Sequence, residues 1–175
     1  MRIVEQLTNT KYLNLKKIVD QENGVNGYYF AERLGINSVA FVCRDIKTGQ
    51  ILLNNEFKPP IGKYVLGSFG GSIDKDKSLV QIVKDEVSEE AGFEVEIENI
   101  KYLGMVFVST QMNQFCNLFM VLVNKNKQKD RKPQTKIEAM AEIKWVDEKD
   151  YFNFTDLLDW KVITIMAKWK ARNNK

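Results

Sequence analysis

Residues 71–93 read GSIDKDKSLVQIVKDEVSEEAGF, and Gly70 immediately before them makes the opening glycine a pair. Ser78 has the character of a helix N-cap, with Gln81 three residues on as capping-box partner and an apolar run starting directly behind it. Gly92 supplies the stop. At about 100° per residue, Val80, Val83, Val87 and Ala91 fall on one stripe, while Glu86, Glu89 and Glu90 share a neighbouring face. Three carboxylates therefore converge beside the core-facing side of a short helix.

Like charges three and four residues apart repel by a few tenths of a kcal/mol per pair, so the cluster has a cost that a cation would offset. Hard oxygen ligands in this number suit Mg²⁺, with Mn²⁺ the alternative. An isolated E-x-x-E-E also describes a solvated acidic face answered by nearby lysines. On the helix alone both readings stand.

The full spacing separates them. The stretch resembles the Nudix box, G-x5-E-x7-R-E-U-x-E-E-x-G-U with U apolar, and Gly71, Glu86, Val87, Glu89, Glu90, Gly92 and Phe93 fall in register with it. Two positions depart: Lys77 stands where the box has its first Glu, and Asp85 where it has Arg. In the family those positions form an ion pair that braces the loop against the helix. Both signs are reversed here together, so a Lys77–Asp85 bracing pair with exchanged charges is expected. A brace of this kind holds the ligands in place rather than being one of them.

Upstream, residues 56–74 (EFKPPIGKYVLGSFGGSID) resemble the segment leading into the box in ADP-ribose pyrophosphatases, with Phe57, Lys58, Pro60, Gly62, Gly71, Ile73 and Asp74 matching. Gly67 replaces a strand-ending Glu, Phe69 a Pro and Gly70 an Ala, so one carboxylate near the metal is lost. The resemblance implies Glu86, Glu89, Glu90 and the Gly70 carbonyl as metal ligands, with Glu86 also catalytic, and Phe57 and Lys58 at the substrate. A glycine pair there lets backbone approach metal and pyrophosphate closely.

Composition sets the outer bounds. The chain has 175 residues, 44% of them hydrophobic, which suits one globular domain over 1–175. A net charge of +3 is mild for 28% charged residues and does not by itself indicate a nucleic-acid partner. Cys43 and Cys116 lie among apolar neighbours, and neither a signal peptide nor a disulfide framework is expected, so the cytoplasm is the expected compartment. No apolar run approaches the roughly 20 residues that span a bilayer. With no histidine in the chain, imidazole acid–base chemistry, His-built zinc sites and Ser–His triads are excluded. Catalysis must rest on carboxylates, lysines and a metal.

Taken in order, residues 12–19 and 27–34 read as a hairpin whose loop holds Asn23-Gly24 and Asn26-Gly27. Tyr28, Tyr29 and Phe30 serve either packing or a base-stacking or dimer surface, and Tyr28 is the candidate substrate contact among them. Strands follow at 37–43, 51–57, 95–97, 101–109 and 117–123. Gln114 stands near a further Glu of the subfamily. The basic run 125–136 with Pro133 reads as a loop that is solvated, the alternative being that it helps to steer an anionic substrate. Residues 137–146 resemble the family's mobile acidic loop and the strand after it. Glu138 is thereby the expected general base, with Glu142 second. A helix over 153–170, with Leu157, Leu158, Val162, Ile165, Met166 and Trp169 on its apolar stripe, closes the chain.

The pattern alone supports α+β or α/β. The resemblance, which covers 12 to about 146, narrows it to a Nudix-type α/β/α sandwich with a mixed sheet, preceded by an N-terminal hairpin within 1–35 that serves homodimerisation. It implies Mg²⁺-dependent hydrolysis of a nucleoside diphosphate linked to another moiety, as in ADP-ribose. The alternatives are a nucleotide-binding module with weak or no turnover, and an enzyme acting on nucleoside triphosphates, dinucleoside polyphosphates or capped RNA.

Overall fold

In the computed structural model, which describes residues 1–173 apart from 34, 36, 74–75 and 152–157, a six-stranded mixed sheet holds the centre. Ser38–Asp45 (β4) and Phe115–Val123 (β8) run parallel, from Ser38 opposite Cys116 to Asp45 opposite Val123. Residues 39–43 of β4 and nearly all of β8 are apolar, and both strands are largely buried, as strands covered on both faces must be. Ile100–Phe107 (β7) pairs antiparallel with β8.

On the other flank, Ile51–Lys58 (β5) meets β4 only at Leu52 opposite Cys43 and Ile51 opposite Arg44. Beyond that point the two strands part. Lys63–Gly67 (β6) pairs with the far half of β5, and the chain after it continues along β4 through Phe69 opposite Phe41 and Ser72 opposite Ser38. Glu142–Val146 (β9) covers the remaining edge of β5. The chain after β6 is thus wedged between two diverging strands.

Alternation along the strands sends side chains to two cores. Val39, Phe41, Cys43 and Leu52 pack with Ile82, Val83, Val87 and Ala91 of the glutamate-bearing helix. Ala40, Val42, Ile51 and Leu53 pack with Val162, Ile165 and Met166. The fold is therefore the expected α/β/α sandwich, with Leu79–Glu86 (α1) on one face and the helix Trp160–Asn173 on the other. That last helix starts later than the sequence pattern suggests. Leu158 lies before it and bridges to Leu66, Asp159 Oδ1 accepts the Lys161 N–H at 2.9 Å, and the expected positions 153–157, Leu157 included, fall outside the described residues. Full burial of Val162, Ile165 and Met166 is worth about 1.5–3 kcal/mol each.

Several expectations need correction. The N-terminal hairpin is a three-stranded antiparallel sheet, because Arg2–Gln6 (β1) pairs with Leu13–Asp20 (β2), which pairs with Val25–Arg33 (β3). Asn23-Gly24 makes the turn, but Gly27 lies inside β3 at φ 93°, in the register slip between Ile18–Tyr28 and Val19–Asn26. The second Asn-Gly is therefore a bulge that increases the twist. Residues 95–97 form no strand. Phe93 and Val95 are buried while Glu94 and Glu96 are exposed, since the segment lies across the α1-side core, and a 3-10 turn at Ile97–Asn99 follows. In-and-out alternation there records a crossing, not a pairing. A short helix, Lys136–Met140 (α2), precedes β9, and the C-terminal helix becomes α3. Leu34 and Asp74 lie outside the described residues. Among the described residues no helix is long and apolar enough to cross a membrane.

Candidate active site

The glutamates are held by a helix that changes its winding. Ser78 caps α1, its Oγ accepting the Gln81 N–H at 3.2 Å, but the Gln81 amide turns forward and donates to Asp85 Oδ1 at 2.8 Å. After Glu86 the helix widens into a π turn, Val87–Ala91, closed by Gly92 at φ 76° whose N–H reaches back five residues to the Val87 carbonyl. Glu89 and Glu90 lie in this turn, and such π insertions recur where a helix must aim ligands.

Two glycines let the loop approach. The Gly70 N–H donates to Glu90 Oε2 at 3.1 Å, and a Cβ on Gly70 would lie 2.2 Å from the Val39 carbonyl oxygen. A Cβ on Gly71 would lie 2.2 Å from Glu86 Oε1. The Gly71 carbonyl accepts the Val39 N–H at 2.9 Å, which locks the loop to β4. Loop, strand and helix thus meet around Glu86 and Glu90.

The far side of the helix is tied down too. The Gln134 amide donates to Glu89 Oε2 at 2.6 Å, the Lys132 N–H to the Glu89 carbonyl at 2.8 Å, and the Lys129 N–H to the Gly92 carbonyl at 2.8 Å. Much of the basic run expected as a solvated loop is docked on the helix end. Its lysines are exposed or half-buried and contribute backbone here.

A cleft of about 720 Å³ opens where β4 and β5 diverge. Glu56, Lys58, Gly70, Gly71, Glu86, Glu89, Glu90 and Glu138 all line it. Burial pushes the Glu90 carboxyl up to about 8, against the Gly70 N–H and assisted by the charges of Glu86, Glu138 and Glu56. An acid in that position must carry a proton or be answered by a cation. The donors are all oxygen, which fits a hard divalent ion. Among the described residues no three of the acids are already gathered at ligating distance: Glu90 is turned to Gly70 and Glu89 to Gln134.

Lys77 Nζ lies 2.6 Å from Asp85 Oδ2, and the hydrogen bond to Asp85 raises the lysine pKa. The exchanged charges do meet. The ammonium is exposed, so little stability is expected from the pair. Lys77→Glu and Asp85→Arg are each expected to weaken Mg²⁺ affinity and turnover, and the double change to recover most of either loss. Strictly additive effects in this double-mutant cycle would show that the contact braces nothing.

Glu138 is the third residue of α2 and closes a capping box: its carboxylate accepts the Gln134 N–H at 2.7 Å and the Thr135 N–H at 3.2 Å. Glu142, on β9, does not line the cleft. Lys58 lies in the cleft, 2.7 Å from Glu56 Oε1. Phe57 and Tyr28 do not line it, contrary to expectation. Alternation on β5 turns Phe57 away from Glu56 and Lys58, edge-on to Tyr64 at 5.5 Å, and the Tyr28 hydroxyl donates to the Thr110 carbonyl at 2.7 Å. The sequence reading also missed Arg33, Asn54, Ser68, Asp159 and Lys161, all cleft residues. Of these only Asn54 carried a visible signal, an amide within an apolar strand.

No protein-family model matches the sequence, and no curated protein matches it. Among solved structures the chain is similar to the crystal structure of an ADP compounds hydrolase, with a TM-score of 0.76 over 98% of this chain and 92% of that one. At 15% identity this likeness carries the fold, which is Nudix-like.

Proposed function

We propose that the protein hydrolyses the pyrophosphate bond of a nucleoside diphosphate linked to another moiety, an ADP-ribose-like compound being favoured, with Mg²⁺ or Mn²⁺ as cofactor. The observation that carries this is the meeting of Glu86 and Glu90 with the Gly70–Gly71 loop at the cleft where β4 and β5 part. The similarity to an ADP compounds hydrolase supports the same reading through the fold.

Glu86, Glu89, Glu90 and the Gly70 carbonyl would hold the cation. When bound, it supplies charge neutralisation for the pyrophosphate and activation of water. The chain's own residues do the rest. Gly70 and Gly71 fix the loop, Lys58 and Arg33 offer positive charge to the phosphates, and Glu138 takes a proton from the attacking water. The Gln134 and Thr135 N–H groups both bond Glu138 Oε2, and a segment that closes on substrate would deliver the base to the water. With ADP-ribose the products are AMP and ribose 5-phosphate. Turnover of a panel of nucleoside diphosphate sugars, dinucleoside polyphosphates, nucleoside triphosphates and capped RNA, each with Mg²⁺ and Mn²⁺, tests the reading; no hydrolysis of any member would end it.

A nucleotide-binding module with slow turnover is the second reading, favoured by the engagement of Glu138 in its own helix cap and by Gly67 in place of an acid. The same panel separates them, since binding without turnover is its signature. We also propose a homodimer formed through the N-terminal sheet, where Ile3, Val4, Leu13, Leu15, Tyr28 and Tyr29 are exposed. Light scattering at micromolar concentration should give twice the 20.3 kDa chain mass, and a monomer would refute it.

A further inference from the structure

We infer that Asn54 and Ser68 are specificity-determining residues that bind a sugar hydroxyl of the substrate, an assignment that rests on the pyrophosphatase reading above. Asn54, on β5, is 5% exposed. Its Nδ2 donates to Glu56 Oε2 at 3.3 Å, while Glu56 Oε1 accepts from Lys58 at 2.7 Å. A carboxylate held by a lysine can only accept, so the amide nitrogen must face Glu56 and the amide oxygen must point elsewhere. That oxygen, Asn54 Oδ1, is buried with no hydrogen-bond partner among the described residues, and so is Ser68 Oγ. Both residues line the cleft.

Unpaired buried polar atoms are rare and costly, and two in one cleft wall call for a ligand that completes them. The diphosphate cannot serve Asn54, because its oxygens accept hydrogen bonds and the orphan is an acceptor. The ammonium groups of Lys58 and Lys161 bond Glu56 and Asp159 and reach neither orphan. Among the groups of such a substrate, the partner that fits is then a donor outside its phosphates. A hydroxyl is the fitting group, since it can donate to Asn54 and also accept from Ser68, and adjacent hydroxyls of a sugar can meet both atoms. The hydroxyls have two sources in such a substrate, the ribose of the nucleoside and the sugar beyond the diphosphate.

The test compares kcat/KM for ADP-ribose, its 2′- and 3′-deoxyadenosine counterparts, and the methyl ester of ADP. The wild-type chain is expected to favour ADP-ribose by about 10- to 100-fold over whichever analogue lacks the recognised hydroxyl, and that analogue names the source. Asn54→Leu, which replaces the orphan by an apolar group of similar size, should fold and bring this ratio towards one. Ser68→Ala is a second, smaller change with the same expected direction. Equal turnover of all four compounds by the wild-type chain, or a ratio unchanged in both variants, overturns the assignment. If the wild-type chain hydrolyses none of them, the pyrophosphatase reading is what has failed. Calorimetric titration of ribose 5-phosphate and AMP against methyl phosphate then reads the hydroxyl preference without turnover: a preference lost in the variants upholds it, and equal binding refutes it.

Discussion

Glu90→Gln is expected to lower kcat at least ~100-fold while leaving the metal-free fold as stable as before, or more stable. Burial raises the Glu90 pKa to about 8, with the Glu86, Glu138 and Glu56 charges adding to the shift. Glutamine keeps the shape and can still accept the Gly70 N–H, but it removes the charge that would bind the cation. The pH dependence follows from the direction of the shift. A carboxyl whose folded-state pKa lies above its ordinary 4.5 stabilises the fold fully below that value, and the contribution is lost as pH rises through about 8. Melting curves in EDTA should therefore fall between those limits in the wild-type chain and fall less in Glu90→Gln. Cation affinity should rise over the same window, since the ligand must shed its proton. Unchanged turnover of the variant at saturating Mg²⁺ would remove Glu90 from the site.

The second large effect concerns the paired glycines, which look interchangeable in the sequence and are not. A Cβ at Gly70 would meet backbone, 2.2 Å from the Val39 oxygen and 3.0 Å from the Ala40 Cα. Neither can retreat without breaking the contact of the loop with β4, so Gly70→Ala should destabilise the fold by about 3 kcal/mol or more. At Gly71 the obstacle is Glu86 Oε1 at 2.2 Å and its Cδ at 2.6 Å, the movable end of a side chain. Gly71→Ala should therefore fold with Tm nearly unchanged, yet displace Glu86 and weaken cation binding and turnover about 10- to 100-fold. Thermal melts read beside turnover distinguish the two. A stable Gly70→Ala, or a fully active Gly71→Ala, would contradict the packing described.

Box spacing made the helix, its glutamates and the facing exchanged charges legible, because each depends on positions a few residues apart. The sandwich followed from resemblance rather than from strand patterns. Local pattern alone misleads at two places: residues 95–97, which read as a strand, belong to a segment crossing the core, and the second Asn-Gly makes a bulge rather than a turn. The remainder of the cleft was hidden for a different reason. Asn54, Ser68 and Asp159 come from three separate places in the chain, and only the parting of β4 from β5 brings them to one cavity. Phe57 shows the converse, a matching residue whose strand phase turns it away.

The docked loop gives the site an optical handle. Trp145 Nε1 donates to Gln128 Oε1 at 3.2 Å, and the same glutamine donates to the Ala91 carbonyl at 3.0 Å, at the end of the π turn. The indole also lies edge-on to Phe93, ring centres 6.2 Å apart, with the Lys125 ammonium 5.0 Å from its ring centre. A change that resets the winding after Val87 is expected to alter the polarity and packing around this one indole through Gln128. Trp145 is one of three tryptophans, the others being Trp160 and Trp169 on α3 at the opposite face of the sheet, so its emission can be isolated by replacing those two. Trp145 emission is thus expected to follow the glutamate-bearing turn, with no added label.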